Sequence, residues 1–461
     1  MKINNILLKK SLFNIMTIST IFSLNSFAHT TPIPLDTSDF KVISLHTGKN
    51  YEIVLKDLRK NGEDVLGVDF RNKIINIHSQ NERIKHLKKY LIKTEAIAHN
   101  EKRVDDQYLN PQEVYDLLKK ASETYPKITK LIKVGQSLEG EDIYAIKISD
   151  NAETEDSTEP NILFNGMHHS REVMTAEVTT DIVTYLTNNY NKDSNVTKWV
   201  NNNEIYILPM LNVDGNKKVW QGNNMWRKNT RGGYGVDINR NYPTDWNKCR
   251  GSSGWRNSQT YRGSAPASEP ETNVLMNFVS DIKPVFNISY HAYSELIIYP
   301  KGCRGERTEN KEVVEGIGKE LGKVLDYEPG TAWELLYSVD GSDIDWMYAQ
   351  EQVIPYVIEV SPSRDGFQPP YSKRNETVER NRSGWQYLLE RLEGPSIHGV
   401  TKDYSTIRYK NKNGSDYRDY TINPDGSYHL IVNSGEYDLE FIGKKNKKIS
   451  LRVDNRINLK L

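Results

Sequence analysis

The segment Asn165-Gly166-Met167-His168-His169-Ser170-Arg171-Glu172 holds the residue types of a metal-dependent hydrolase. His169 and Glu172 stand three positions apart at the expected start of a helix, a spacing that lets both side chains converge on one point. An imidazole and a carboxylate so placed are two of the three protein ligands a catalytic zinc takes, with a fourth position left for water. His291, which closes the apolar run Asn287-Ile288-Ser289-Tyr290, is the leading candidate for the third. A His-x-x-Glu alone arises often by chance, and a solvated loop accounts for it equally well. The chain has only ten His, however, and three of them fall at strand ends within one segment. No His-Glu-x-x-His occurs, so a thermolysin-like ligand pair is absent.

Elements must bring these residues together. A strand ending at Phe164 and a turn at Gly166 lead to a helix expected to begin near Glu172. Strand-like runs recur at Leu131–Val134, Ile143–Ile148, Ile162–Phe164, Ile205–Leu211, Val285–Tyr290, Leu296–Tyr299 and Val353–Val360. Helical patterns lie between them, at Val173–Leu186, Glu269–Asp281, Glu312–Leu325 and Thr377–Leu392. Strands alternating with helices predict an α/β sheet covered on both faces, with its ligand site in loops beyond the strand ends. Asn110-Pro111-Gln112-Glu113 reads as a helix start, with an Asn cap, Pro at the first position and Glu at the third. Upstream, Asp39–Ile92 reads as a small α/β unit. Lys93–Asp106, with the dibasic pair Lys102-Arg103, reads as an exposed linker. Past Gly394-Pro395 the helical patterns stop, and short Tyr, Ile and Val runs alternate with turns, which predicts a small all-β module. The expected divisions are 1–28, 29–106, 107–393 and 394–461.

Composition bounds the rest. The 461 residues include 37% apolar and 26% charged side chains, enough for packed cores. Sixty-one basic residues balance 61 acidic ones, so no global basic field exists to hold nucleic acid or an anionic membrane. Residues 1–28 read as a signal peptide: Lys2, Lys9 and Lys10 precede an apolar stretch too short and too polar to span a bilayer, and Ser26-Phe27-Ala28 supplies small residues for cleavage. Export, to the periplasm or the exterior, is therefore expected, with no membrane span. Two Cys cannot build a disulfide scaffold or a four-Cys zinc site. The sequence leaves open whether Cys249 and Cys303 pair.

Between about Asn110 and Glu393 the chain resembles the zinc carboxypeptidases of the carboxypeptidase A family. The resemblance is carried by His169-Ser170-Arg171-Glu172, Asn212-Val213-Asp214-Gly215, Trp226-Arg227-Lys228, Asp237-Ile238-Asn239-Arg240-Asn241, His291, Tyr337 ahead of Asp345-Trp346, and Glu359 within Val357-Ile358-Glu359-Val360, all in family order. It implies a mixed eight-stranded sheet with helices on both faces. It also implies one zinc on His169, Glu172 and His291, and hydrolysis of the C-terminal peptide bond of peptides or proteins. Glu359 would be general base towards the metal-activated water and Arg227 the oxyanion's partner. Arg240, Asn239 and Tyr337 would clamp the substrate's terminal carboxylate, since an Arg fork binds carboxylate in two parallel hydrogen bonds. Arg171 would touch the peptide upstream of the scissile bond. Ile344 would decide the terminal residue, within a pocket of Ile298, Gly302, Val339, Ser342, Asp343 and Val357. Apolar Ile344 favours apolar or aromatic residues; Asp343, if turned inward, would admit basic ones. The flanks resemble a prosegment and a transthyretin-like module, and a monomer is expected. His168 departs from the pattern, where a small residue is usual, and is expected to be a supporting or solvent-exposed residue. Two other readings stand beside this one: a cell-wall peptidase or amide hydrolase of related fold, and an exported binding or adhesion protein on an inactive scaffold.

Overall fold

A computed structural model describes residues 41–461 apart from 62, 80–81, 97–103 and 415. The expected signal peptide and the dibasic pair lie outside the described residues. The N-terminal segment forms β1 (Lys41–His46), α1 (Tyr51–Lys60), β2 (Asp64–Asp69), β3 (Ile74–Ser79) and β4 (Lys93–Ala96), with the strands in the order β2-β3-β1-β4. The linker expected from Lys93 is thus shorter: its first four residues pair antiparallel with β1. Their polarity reads as linker because an edge strand needs only its backbone for pairing.

The middle of the chain builds one eight-stranded mixed sheet. Its strands are β5 (Thr129–Gln136), β6 (Asp142–Ile148), β7 (Asn161–Gly166), β8 (Glu204–Leu208), β9 (Phe286–Ala292), β10 (Leu296–Tyr299), β11 (Glu328–Thr331) and β12 (Ile354–Val360). They run in the order β11-β10-β12-β9-β7-β8-β6-β5, with β12, β9, β7 and β8 parallel at the centre. Alternate residues of these strands enter different cores. Phe164 and Ile207 join one apolar cluster, Leu163 and Leu208 the other. Burial on both faces is why these strands read as continuous apolar runs.

Ten helices accompany the strands among the described residues: α1, α2 (Pro111–Thr124), α3 (Met174–Asn189), α4 (Ser194–Asn202), α5 (Val213–Trp220), α6 (Pro270–Ile282), α7 (Lys311–Leu325), α8 (Ala332–Leu335), α9 (Asp343–Glu351) and α10 (Arg374–Leu392). The cap of α2 forms as expected: Asn110 Oδ1 accepts from the Gln112 and Glu113 N–H groups, and Glu113 Oε2 accepts from the Asn110 N–H. The sequence reading lacked α4, α5, α8, α9 and β11, all short or poorly patterned.

Beyond residue 394 the chain forms seven strands in two sheets. One contains β13 (Ser396–Val400), β16 (Ser427–Ile431) and β19 (Arg456–Asn458). The other contains β14 (Tyr404–Asn411), β15 (Arg418–Thr421), β17 (Gly435–Gly443) and β18 (Lys447–Val453). Tyr428, Phe441, Ile397 and Val453 fill its own small core. The module is also joined to the larger body: Ile431 packs in the main cluster with Leu392, Arg391 Nη2 donates to the Val432 carbonyl, Arg456 pairs with Glu393, and Arg418 pairs with Glu312. Cys249 and Cys303 form a disulfide with their Cα atoms 5.7 Å apart.

Candidate zinc centre and substrate cavity

Three central parallel strands end on the same side of the sheet and carry the site. His291 and Glu359 are register partners on β9 and β12, so their side chains stand next to each other on one face. His169 and Glu172 lie in the loop after β7. This loop differs from the expectation in two ways. Helix α3 starts at Met174, so the pair sits on tight turns, with the Glu172 N–H donating to the His169 carbonyl and the Thr175 N–H to the Glu172 carbonyl. The left-handed residue is Met167, at φ 61°, and not Gly166. Gly166 is needed for closeness instead: a Cβ there would lie 3.2 Å from the Pro209 carbonyl oxygen and 3.3 Å from that of Thr175.

The donor atoms of His169, Glu172 and His291 lie within 4.8 Å of one another, and all three residues are buried. His169 Nδ1 is 2.8 Å from Glu172 Oε1, and His291 Nδ1 is 3.1 Å from His169 Nδ1 and 3.2 Å from Glu172 Oε2. His169 Nε2 faces Asp237 Oδ1 at 3.2 Å. With its Nε2–H donating a hydrogen bond to Asp237 Oδ1, a neutral His169 turns its Nδ1 lone pair towards a carboxylate and a second imidazole. Such a convergence of acceptors suits a divalent cation with nitrogen and oxygen ligands, and the set fits zinc. The residues that would hold it are His169, Glu172 and His291.

Asp237 is the site residue that the sequence reading quoted in a motif without giving it a role. Besides His169, it accepts from Arg227 Nε at 3.2 Å and Nη2 at 3.0 Å. Despite burial, Arg227 and His169 hold its carboxyl well below the usual carboxylate range. It therefore orients the His169 imidazole and the Arg227 fork together. Its place between Ile238 and Val236, with no other acid near in sequence, carried little sign of that.

Glu359, Arg227, Asn239, Arg240, Tyr337 and Ile344 line the same cavity as His169, Glu172 and His291. Burial pushes the Glu359 carboxyl up to about 8; nearby His291 opposes the shift and Glu172 adds to it. Arg240 Nη2 lies 3.5 Å from the Tyr337 hydroxyl, and Asn239 Oδ1 accepts from the Asp343 N–H at 2.9 Å. Ile298, Gly302, Val339, Ser342 and Val357 also line the cavity. Asp343, expected in this lining, is absent from it; its Oδ2 faces His168 Nε2 at 3.6 Å in the interior. Arg171 also does not line the cavity. It is buried, with its guanidinium carbon 4.2 Å from the centre of the Phe367 ring. His168 is fully buried, stacked on His291 with ring centres 5.4 Å apart, which removes solvent exposure from the two expectations for it.

The N-terminal segment contributes to the same cavity, through Val65, Leu66 and Gly67 of β2. It is held there by bonds from the Val68 N–H to Ser294 Oγ at 2.9 Å, from Asn76 Nδ2 to the Ser363 carbonyl at 3.0 Å, and from the Tyr51 hydroxyl to the Leu335 carbonyl at 3.0 Å.

Comparison with known proteins identifies the family of the chain. The zinc carboxypeptidase family model matches residues 114–384. Carboxypeptidase A1 of Sus scrofa is 31% identical over 306 residues, 63% of this chain and 71% of the relative. Zinc carboxypeptidase A 1 of Anopheles gambiae is 29% identical over 307 residues, 64% and 69% respectively. The crystal structure of the carboxypeptidase A from Helicoverpa armigera shares the fold, with a TM-score of 0.65 at 21% identity, covering 76% of this chain and 96% of that one. Bovine thrombin-activatable fibrinolysis inhibitor, solved with a tick carboxypeptidase inhibitor, superposes with a TM-score of 0.56 at 26% identity over 62% of this chain and 97% of that one. With more than half its length inside the family model, the chain belongs to the zinc carboxypeptidases, a family of zinc-dependent hydrolases.

Proposed function

We propose that this protein removes single residues from the C-terminus of peptides, with Glu359 as the general base. One observation carries the reading: a single cavity brings together the zinc ligands, Glu359, the Arg227 guanidinium and the Arg240–Tyr337 pair, and ends in an apolar pocket. When bound, zinc would act as a Lewis acid on the scissile carbonyl and would make water more acidic. Glu359 takes a proton from the attacking water as oxygen bonds to the carbonyl carbon, and delivers a proton to the amine as the C–N bond breaks. Arg227, held by Asp237, offers N–H groups to the negative charge that develops on the carbonyl oxygen. Arg240, with Asn239 and Tyr337, binds the terminal carboxylate, which an internal residue lacks.

The experiment that tests this reading is hydrolysis of a blocked peptide with a free C-terminus against the same peptide amidated. Leaving Arg240 without its carboxylate is expected to cost about 3 kcal/mol, roughly 150-fold in kcat/KM. Equal rates for the two peptides would favour an amide hydrolase instead.

The apolar pocket supports a preference for apolar or aromatic terminal residues. Ile344 and Val357 offer no charge to a buried Lys or Arg, and the Asp343 carboxylate is turned to His168. A substrate ending in Phe is expected to exceed its Arg-ending counterpart by at least about tenfold in kcat/KM. The reverse order would reassign the pocket.

The N-terminal segment is read as a prosegment, supported by its β2 residues in the cavity wall. Cleavage at Lys102-Arg103 is expected to raise activity, and N-terminal sequencing of the active form should begin near Val104. An equally active chain still carrying residues 41–96 would argue against latency. The seven-stranded pair of sheets after residue 394 supports the transthyretin-like reading of that module. Export is supported by the disulfide. Among the described residues, no helix is long and apolar enough to cross a membrane.

A further inference from the structure

The disulfide links the neighbour of one cavity-wall residue to a segment that bonds another, Arg240. On one side, Cys303 is buried and follows Gly302, a wall residue of the terminal side-chain pocket. The Gly302 N–H lies 3.1 and 3.0 Å from the two carboxylate oxygens of Asp345, and its carbonyl accepts from the Val339 N–H at 2.9 Å. On the other side, the N–H groups of Cys249 and Gly251 both donate to Asp340 Oδ2 at 3.0 Å. The Gly251 carbonyl in turn accepts from Arg240 Nε at 3.3 Å, while Arg240 Nη1 donates to the Asn239 carbonyl at 2.6 Å. The guanidinium read as the carboxylate clamp is therefore aimed partly by the segment that Cys249 anchors.

That segment is irregular; the Tyr242 N–H donates to the Gly341 carbonyl, Trp246 Nε1 to the Arg262 carbonyl, and Lys248 pairs with Glu306, while the disulfide is its covalent tie. Residues 241–252 contain no helix or strand, and Asp245, Asn247 and Arg250 all adopt left-handed backbone conformations. Its seating is nevertheless tight: a Cβ on Gly251 would lie 2.5 Å from both the Ser338 carbonyl oxygen and Val339 Cα. Single hydrogen bonds fix such a loop weakly in water, and a displacement near 1 Å in a binding group is enough to impair catalysis.

We propose that the Cys249–Cys303 disulfide positions Arg240 against the terminal-residue pocket, and so serves recognition of the substrate's terminal carboxylate as well as stability. This inference rests on the carboxypeptidase reading above.

The test uses the full chain, zinc-loaded, as wild type and as the Cys249→Ser/Cys303→Ser double variant, at a temperature where both are folded. Each is assayed on a blocked dipeptide ending in Phe and on its amide. For the double variant, KM for the free acid is expected to rise by about tenfold with kcat changed by less than about threefold. The free-acid to amide ratio of kcat/KM should contract by about the same factor, with zinc content unchanged. Unchanged KM and ratio would overturn the proposal and leave the disulfide a stabilising link. A parallel fall of kcat and zinc content would overturn it too, by placing the effect on the whole site. A wild type that does not distinguish acid from amide would refute the carboxylate clamp, and the inference with it, before any variant is compared. Should the double variant not fold, Asp340→Ala removes the acceptor of both loop N–H groups with the disulfide intact. It should raise KM in the same direction, and an unchanged KM there would overturn the proposal.

Discussion

Glu359→Gln is expected to lower kcat by about a thousandfold or more while zinc content stays near one per chain and KM changes little. Glutamine keeps the size of the side chain but has no basic site for the water proton. Register places Glu359 beside His291, at the cavity wall, so the substitution disturbs neither strand pairing nor the residues that would hold zinc. Burial pushes the carboxyl up to about 8, against the opposing effect of His291, and positive charge from zinc would pull it lower again. A base works in its ionised form, so kcat/KM should fall as pH drops through the Glu359 pKa in the zinc-loaded enzyme. The residual activity of the Gln variant should lack that acid limb. Near-normal turnover with zinc bound would remove Glu359 from this role.

His291→Ala should reduce zinc from about one per chain to a small fraction and abolish hydrolysis with it. The loss of a partner that merely orients a ligand typically costs 10–100-fold in affinity, and loss of a ligand itself should exceed that. His291 also stacks on His168 and lies 3.3 Å from Ser289 Oγ, so circular dichroism must show that the variant remains folded. Metal analysis after dialysis and the rate on a Phe-ending dipeptide are the two measurements. A metal-free, fully active His291→Ala protein would sink the zinc reading.

Much of this site was legible because each residue sits in a short motif fixed by backbone geometry. His291 was a candidate from its place at the end of an apolar run, whereas the roles of Glu359, Arg227 and Ile344 came from the ordered motifs that carry the family resemblance. What escaped the sequence depends on long-range orientation. Asp237 gains its importance only when Arg227 and His169 fold onto it from other segments. Asp343 and Ile344 are neighbours in sequence, yet one faces the interior and the other the cavity, because α9 begins at Asp343 and successive helical residues diverge. The loop around His169 reads as a helix start because its spacing suits one, although the chain makes two tight turns first. The closeness of β2 to the cavity had no local signature: nothing in Val65, Leu66 and Gly67 marks them as cavity wall until their neighbours are known.

The change of composition at residue 394 marks where one kind of architecture stops, but it is not a line along which the chain can be divided freely. Ile431 belongs to the apolar cluster that also contains Leu392, Leu389 and Trp385 of α10. Arg391 reaches across to the Val432 carbonyl, and Gln352 exchanges hydrogen bonds with both backbone groups of Thr421. A truncation placed at the visible boundary would thus open the far end of the helix that packs on the catalytic sheet. The ancestry of a chain can be modular while its cohesion is not, and here the last 68 residues act as a buttress for α10.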